Sequence, residues 1–218
     1  MDIKLYGFWR SLASFRVRVA LRLKELPFEE ISIDIFAGEQ FRPDYAAVNA
    51  EHVVPTLVHQ GHQVFQSLAI IEYLEDIKPE LRLLPSDPAD RAYVRSLALV
   101  TVADAHPLVT PRVRKHLVNS FSANDEAIQA WATHWSSEGL AVYERLLEGR
   151  RPSPFALGDR PGLADICIAG HVVGAHFLKL DLASFPRVAA LADQCFALPA
   201  FATSHPFEQP GHKAVAGR

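Results

Sequence analysis

Three short stretches carry residue types suited to holding an anion or an extended ligand. In residues 8–21 (FWRSLASFRVRVAL) a strand end runs into a helix that opens on a hydroxyl. Free N–H groups at a helix N-terminus attract negative charge, and a serine there donates a further hydrogen bond. Ser11 is therefore a candidate anion stabiliser, besides being an ordinary N-cap. In residues 54–57 (VPTL) a proline stands at the entrance of a strand, where a ladder N–H is ordinarily needed. A cis Val54-Pro55 bond is one solution, and it leaves the Val54 backbone exposed to pair with an extended, peptide-like ligand. Gln66 and Ser67 open a further helix, and offer backbone N–H groups, an amide and a hydroxyl to a carboxylate.

The elements that must position these groups are legible in the apolar spacing. Residues 3–8 read as a strand, and Leu12, Phe15, Val19 and Leu23 give helical spacing over 11–25. Residues 28–34 alternate in part, 43–49 suit a short helix, and 56–58 with 62–65 form a hairpin about a glycine-containing turn. In 67–77 the residues Leu68, Ile71, Leu74 and Ile77 share a face, so the order is βαβαββα. Two prolines and Asp87 break the pattern at 83–89 (LLPSDPA). Beyond that linker, 88–117, 125–149, 162–179 and 186–197 all read as helices. The expectation is an α/β domain over 1–82 and an all-α domain over 90–218. The first is acidic, with 9 basic and 12 acidic side chains, and the remainder is balanced at 13 of each.

Composition narrows the function. A chain of 218 residues, 49% hydrophobic and 22% charged, can build a real core. Its net charge of -3 lacks the positive excess of a nucleic-acid binder. Cys167 and Cys195 sit in apolar company and read as small buried hydrophobes, which favours a reducing cytoplasm. No membrane span is expected, since the most apolar stretch, 163–180, is interrupted by Asp165, His171, His176 and Lys179. No metal site is expected either: His59 and His62 span a turn, and His171 and His176 miss a common helical face. Asp165, at the third position of a helix, reads as a capping acid whose loss damages folding. Trp131 and Trp135 have core spacing.

The RVRVAL run of 16–21, VPTL of 54–57 and QSLAIIEYL of 66–74 resemble the zeta class of the glutathione transferase superfamily. The likeness continues in 105–108 (AHPL), 158–165 (GDRPGLAD), 181–186 (DLASFP) and 204–210 (SHPFEQP), so it spans nearly the whole chain. The resemblance implies a thioredoxin-like N-terminal domain that binds glutathione, a helical domain that holds an electrophile, and a homodimer. Ser11 would activate the glutathione thiol, Gln66 and Ser67 would take the γ-glutamyl carboxylate, and Val54, presented by Pro55, would pair with the cysteinyl backbone. The reaction implied is glutathione-dependent cis–trans isomerisation of a maleyl keto acid, maleylacetoacetate or maleylpyruvate.

Such a substrate carries carboxylates, which directs attention to cations. Arg10, Arg16, Arg18, Arg22 and Lys24 lie in a segment, 9–24, that contains no acid, and read together as a solvated helix face. Arg10, next to Ser11, is the exception and a candidate carboxylate ligand with a catalytic role. His106 and Arg112 match the family's electrophile-side region. Ser11 and Ser14 stand where a redox relative carries paired cysteines, so dithiol exchange is excluded. Phe8 occupies the slot of an activating tyrosine, which disfavours Tyr6 in that role. The chain departs from the class at Leu12-Ala13, usually serine and cysteine, at Val109-Thr110, usually two asparagines, and at His176-Phe177, where an arginine is expected. Two alternatives stay open: a transferase that conjugates or dehalogenates another electrophile, and a non-catalytic glutathione-binding or interaction module.

Overall fold

The structure, a computed structural model, describes residues 2–149 and 151–212. It divides into two compact units: residues up to Leu83 together with those from Ala197 onward, and Leu84–Phe196. The helical domain expected over 90–218 thus ends earlier, because the C-terminal segment packs on the first unit. There Arg18 Nε donates to the Ser204 carbonyl at 3.2 Å and Arg22 to Ser204 Oγ at 2.9 Å.

The first unit runs β1 (Ile3–Gly7), α1 (Leu12–Leu23), β2 (Glu29–Ser32), a 3-10 turn at Glu39–Phe41, α2 (Pro43–Ala46), β3 (Thr56–His59), β4 (His62–Phe65) and α3 (Ser67–Ile77). This is the expected βαβαββα order. The sheet order is β2-β1-β3-β4, with β1 parallel to β2 through the α1 crossover and the remaining pairs antiparallel. Gln60 and Gly61 close the β3–β4 hairpin with φ of 52° and 81°. Positive φ at both central residues is what a two-residue hairpin turn requires, and glycine adopts it without steric cost. Gly7 meets a different demand: a Cβ there would lie 2.8 Å from Glu30 Oε1 and 3.3 Å from Ser14 Oγ.

Ile3, Leu5, Phe15, Val17, Leu57, Ile70, Ile71 and Leu74 fill the core of this unit. The inner face of α3 is Ser67, Ile70, Ile71 and Leu74 rather than the expected set, with Leu68 and Ile77 only half-buried. The larger correction concerns α1. Residues Ser14–Leu21 are buried without interruption, so the basic residues do not form a solvated face. Arg16, Arg18 and Lys24 are 2%, 0% and 0% exposed. They tolerate burial because each finds acceptors. Lys24 Nζ meets Glu75 at 2.7 Å and the Lys78 and Leu81 carbonyls at 2.9 and 2.8 Å. Arg18 reaches Glu30 at 2.9 Å and the Trp9 carbonyl at 3.2 Å.

The second unit holds α4 (Pro88–Leu99), α5 (Pro111–Phe121), α6 (Asp125–Glu148), α7 (Leu163–Phe177) and α8 (Pro186–Phe196). Among the described residues it contains no strand. Asp87 caps α4 by accepting from Ala89 and Asp90 N–H at 2.9 Å each. The single helix expected over 88–117 is broken: α4 passes into a π-helical turn at Val100–Ala105 and a 3-10 turn at His106–Val109 before α5 begins. Pro107 and Pro111 lack the N–H a continuous helix needs. The capping role of Asp165 is present, with its carboxylate accepting from Gly162 N–H at 2.8 Å and Ala156 N–H at 2.7 Å. Burial raises its pKa to about 6 against the pull of those hydrogen bonds. Cys167 and Cys195 are fully buried, and burial together with the Asp165 charge pushes the Cys195 thiol up. In the C-terminal segment of the first unit are α9 (Pro199–Ala202) and a 3-10 turn at Pro206–Glu208.

Candidate functional site

Strand register decides which candidates meet. Tyr6 of β1 pairs with Thr56 of β3, and Thr56 with Phe65 of β4. The chain therefore leaves β1 toward Ser11, enters β3 from Val54-Pro55 and leaves β4 toward Gln66 at one end of the sheet. Ser11, Val54, Pro55, Gln66 and Ser67, scattered over 57 positions of sequence, are gathered there by topology.

Each is held by its surroundings. Ser11 is a half-exposed N-cap whose Oγ accepts from Ser14 N–H at 3.2 Å. Since that bond uses an oxygen lone pair, the Ser11 hydroxyl keeps its proton to donate. Ser14 is buried and its Oγ accepts from Phe8 N–H at 3.2 Å, which pins the loop that carries Trp9 and Arg10. Arg10 itself is exposed. The Val54-Pro55 bond is cis, as one of the sequence readings has it. Val54 is half-exposed and precedes β3, outside the ladder. The turn is fixed from behind by a buried polar cluster that composition does not reveal. Asn49 Nδ2 donates to the Val53 carbonyl at 3.0 Å and to Thr56 Oγ1 at 2.9 Å, and the Tyr45 hydroxyl bonds the same two groups. Burial raises the Tyr45 pKa.

Gln66 adopts φ 68° and ψ 119°, a conformation seldom held by a side-chain-bearing residue. Such strain persists where surrounding structure imposes it, and it clusters at ligand sites. Its amide donates to Glu51 at 2.9 Å. Ser67, 3% exposed, is the first residue of α3, and its Oγ accepts from Arg16 Nε at 3.1 Å. Tyr6, by contrast, lies along β1 against the Tyr45 ring at 5.8 Å.

In the second unit, His106 opens the 3-10 turn and Arg112 is exposed in the first turn of α5. The turn is braced by Trp131, whose Nε1 donates to the Leu108 carbonyl at 2.8 Å. Core spacing alone did not disclose that bond, although the Trp131–Trp135 pair is present at 5.7 Å. Beneath the π-helical turn, the Tyr143 hydroxyl bonds Thr101 Oγ1 and the Leu97 carbonyl. Among the described residues no group of three or more His, Cys, Asp and Glu side chains is placed to hold a metal. None of their helices is long and apolar enough to cross a membrane.

Residues 1–76 match the family model of the glutathione S-transferase N-terminal domain, and residues 109–193 that of the C-terminal domain. Over 216 residues the chain is 38% identical to the maleylacetoacetate isomerase of Pseudomonas aeruginosa, covering 98% of this chain and 100% of that protein. The chain belongs to the glutathione S-transferase family. Within it the similarity is to the zeta class. A holo maleylpyruvate isomerase described as a bacterial glutathione S-transferase of that class superposes with a TM-score of 0.92 at 37% identity, over 95% of this chain and 98% of the other. A maleylacetoacetate isomerase from Methylobacterium extorquens, solved with bound malonate and glutathione, superposes with a TM-score of 0.93 at 39% identity, over 95% and 98%. The thioredoxin-like first unit and the helical second unit are the family's architecture.

Proposed function

We propose that this chain catalyses the glutathione-dependent cis–trans isomerisation of a maleyl keto acid, maleylacetoacetate or maleylpyruvate. The observation that carries the proposal is the gathering of Ser11, the cis Val54-Pro55 turn and the Gln66-Ser67 helix start at one end of the sheet. These groups fit the tripeptide. The Val54 backbone suits its cysteinyl amide, and Gln66, Ser67 and the α3 N-terminus suit its γ-glutamyl carboxylate. Bound there, glutathione would supply a thiol that adds to the cis double bond and leaves once the resulting single bond has rotated. An ordinary thiol has a pKa near ~8.5, so the protein must favour the thiolate. The Ser11 hydroxyl would donate to it, and the α1 N-terminus would add its field.

Arg10, His106 and Arg112 would act on the electrophile, with guanidinium groups gripping its carboxylates and stabilising charge that develops on the enolate. The malonate and glutathione of the Methylobacterium protein support a carboxylate-bearing substrate, as do the dicarboxyethyl glutathione and citrate bound in the active site of the maleylacetoacetate isomerase of Anaeromyxobacter dehalogenans. A homodimer and a cytoplasmic location belong to the same reading. The second reading, conjugation or dehalogenation of another electrophile, is favoured by one observation: Leu12 and Ala13, beside Ser11, are half-buried apolar residues. The test is the rate of fumaryl product formation from both maleyl acids with and without glutathione. A fast, glutathione-dependent rate is expected; no rate, with glutathione still bound, would replace the first reading with the second.

A further inference from the structure

We infer that Arg16 is a positioning residue of the carboxylate subsite, acting through Ser67. The inference rests on the glutathione reading above and deepens it. Arg16 lies on α1 and Ser67 opens α3, and the Arg16 Nε–H donates to Ser67 Oγ at 3.1 Å. Arg16 is 2% exposed and Ser67 3%, so little water competes for that bond.

The direction of the bond follows from the chemistry of the two groups. A guanidinium only donates, so Ser67 Oγ must accept. One lone pair of the hydroxyl is thereby committed inward, and its single proton is turned away from Arg16. Because Ser67 is the first residue of α3, that proton is left to add a donor to the backbone N–H groups of the helix N-terminus for an incoming carboxylate. A serine at the start of a helix otherwise rotates its hydroxyl freely between accepting and donating roles. A donor from a charged group also polarises the hydroxyl it bonds, which strengthens the next hydrogen bond in the chain. Arg16 therefore sets the polarity of Ser67 in advance, and the subsite prefers an anion to a neutral group. The guanidinium plane fixes the Nε–H direction, which a flexible ammonium does not reproduce.

The test is calorimetric titration of the full chain with glutathione and with 4-aminobutyryl-cysteinyl-glycine, which lacks only the γ-glutamyl carboxylate. The wild type is expected to prefer glutathione. Arg16→Lys keeps the charge but loses the fixed donor, and should lower the preference roughly tenfold, the worth of about one charge-assisted hydrogen bond, while changing binding of the carboxylate-free analogue little. Ser67→Ala should lower it equally, Ser67→Thr should restore it, and the double variant should lose no more than either single one. If Arg16→Lys weakens both ligands alike, Arg16 is merely structural and the inference is overturned. Should that variant not fold, Ser67→Ala decides, and a preference retained without the hydroxyl overturns the inference. A wild type with no preference between the ligands would instead refute the carboxylate subsite itself, and the inference with it.

Discussion

The helices α1 and α5 are both acid-free and both basic, yet they handle charge in opposite ways. In α1 the residues Ser14–Leu21 are buried without a gap, and Arg16 and Arg18 lie among them. In α5 no residue is buried, and Arg112, Lys115 and His116 face solvent. Sequence composition makes the two look alike. What separates them is coverage: α1 fills the crossover between β1 and β2 and packs against α3 and α9 within its unit, whereas α5 follows two irregular turns and touches little. A buried cation is tolerable only with acceptors prepared for it, and those of α1 are drawn from a neighbouring loop, from β2, from α3 and from the C-terminal segment. The cations of α1 therefore organise the protein, whereas Arg112, Lys115 and His116 of α5 stay at the surface.

Exchanging equivalent residues breaks this contrast most sharply. Lys24→Met takes the counter-charge from the Glu75 carboxylate, which keeps the Leu83 N–H at 2.9 Å, and the donor from two carbonyls, and should cost about 3–5 kcal/mol in chemical denaturation. Lys115→Met on α5 should stay within about 0.5 kcal/mol. Equal costs would dissolve the distinction.

The buried acid of the second unit offers a smaller effect with a pH signature. Asp165→Asn leaves one of two backbone N–H groups poorly paired, and about 1–3 kcal/mol of stability should be lost. The native carboxyl titrates at about 6, above its unfolded value of ~3.9. Between those values the native state binds more protons than the unfolded one, so this group's contribution falls as pH rises toward and through 6. Melting of wild type and variant between pH 4 and pH 7 should show the gap narrowing as pH rises, and a gap that widens would contradict the raised value.

Arg112→Gln should leave stability and glutathione affinity unchanged while raising KM for the keto acid about tenfold, the size of one charge-assisted hydrogen bond. A loss of stability instead would put Arg112 in the same class as the α1 cations.

Much of the architecture is legible from the chain. Period-two and helical spacings give the βαβαββα order, Gln60-Gly61 marks the hairpin, and the Val54-Pro55 pair signals a strand entrance that cannot donate. The gathering of Ser11, Val54 and Gln66 follows once the strands are paired. What resists reading is whatever depends on coverage. The α1 cations look solvated until a helix, a strand and the C-terminal segment close over them. The 88–117 helix looks continuous because apolar spacing outweighs Pro107 and Pro111, and nothing in the spacing predicts a π-helical turn. Asn49 holds the Val54-Pro55 turn through the Val53 carbonyl and Thr56 Oγ1, Trp131 holds the His106 turn through the Leu108 carbonyl, and such bonds leave no pattern in sequence.

The most direct test of the account is Ser11→Ala, followed by turnover of the preferred maleyl acid and by glutathione titration. If Ser11 activates the thiol, kcat falls by about a hundredfold or more while glutathione affinity stays near wild type. Unchanged turnover would mean that the anion-binding end of the sheet holds the tripeptide without activating it, and would contradict the catalytic account.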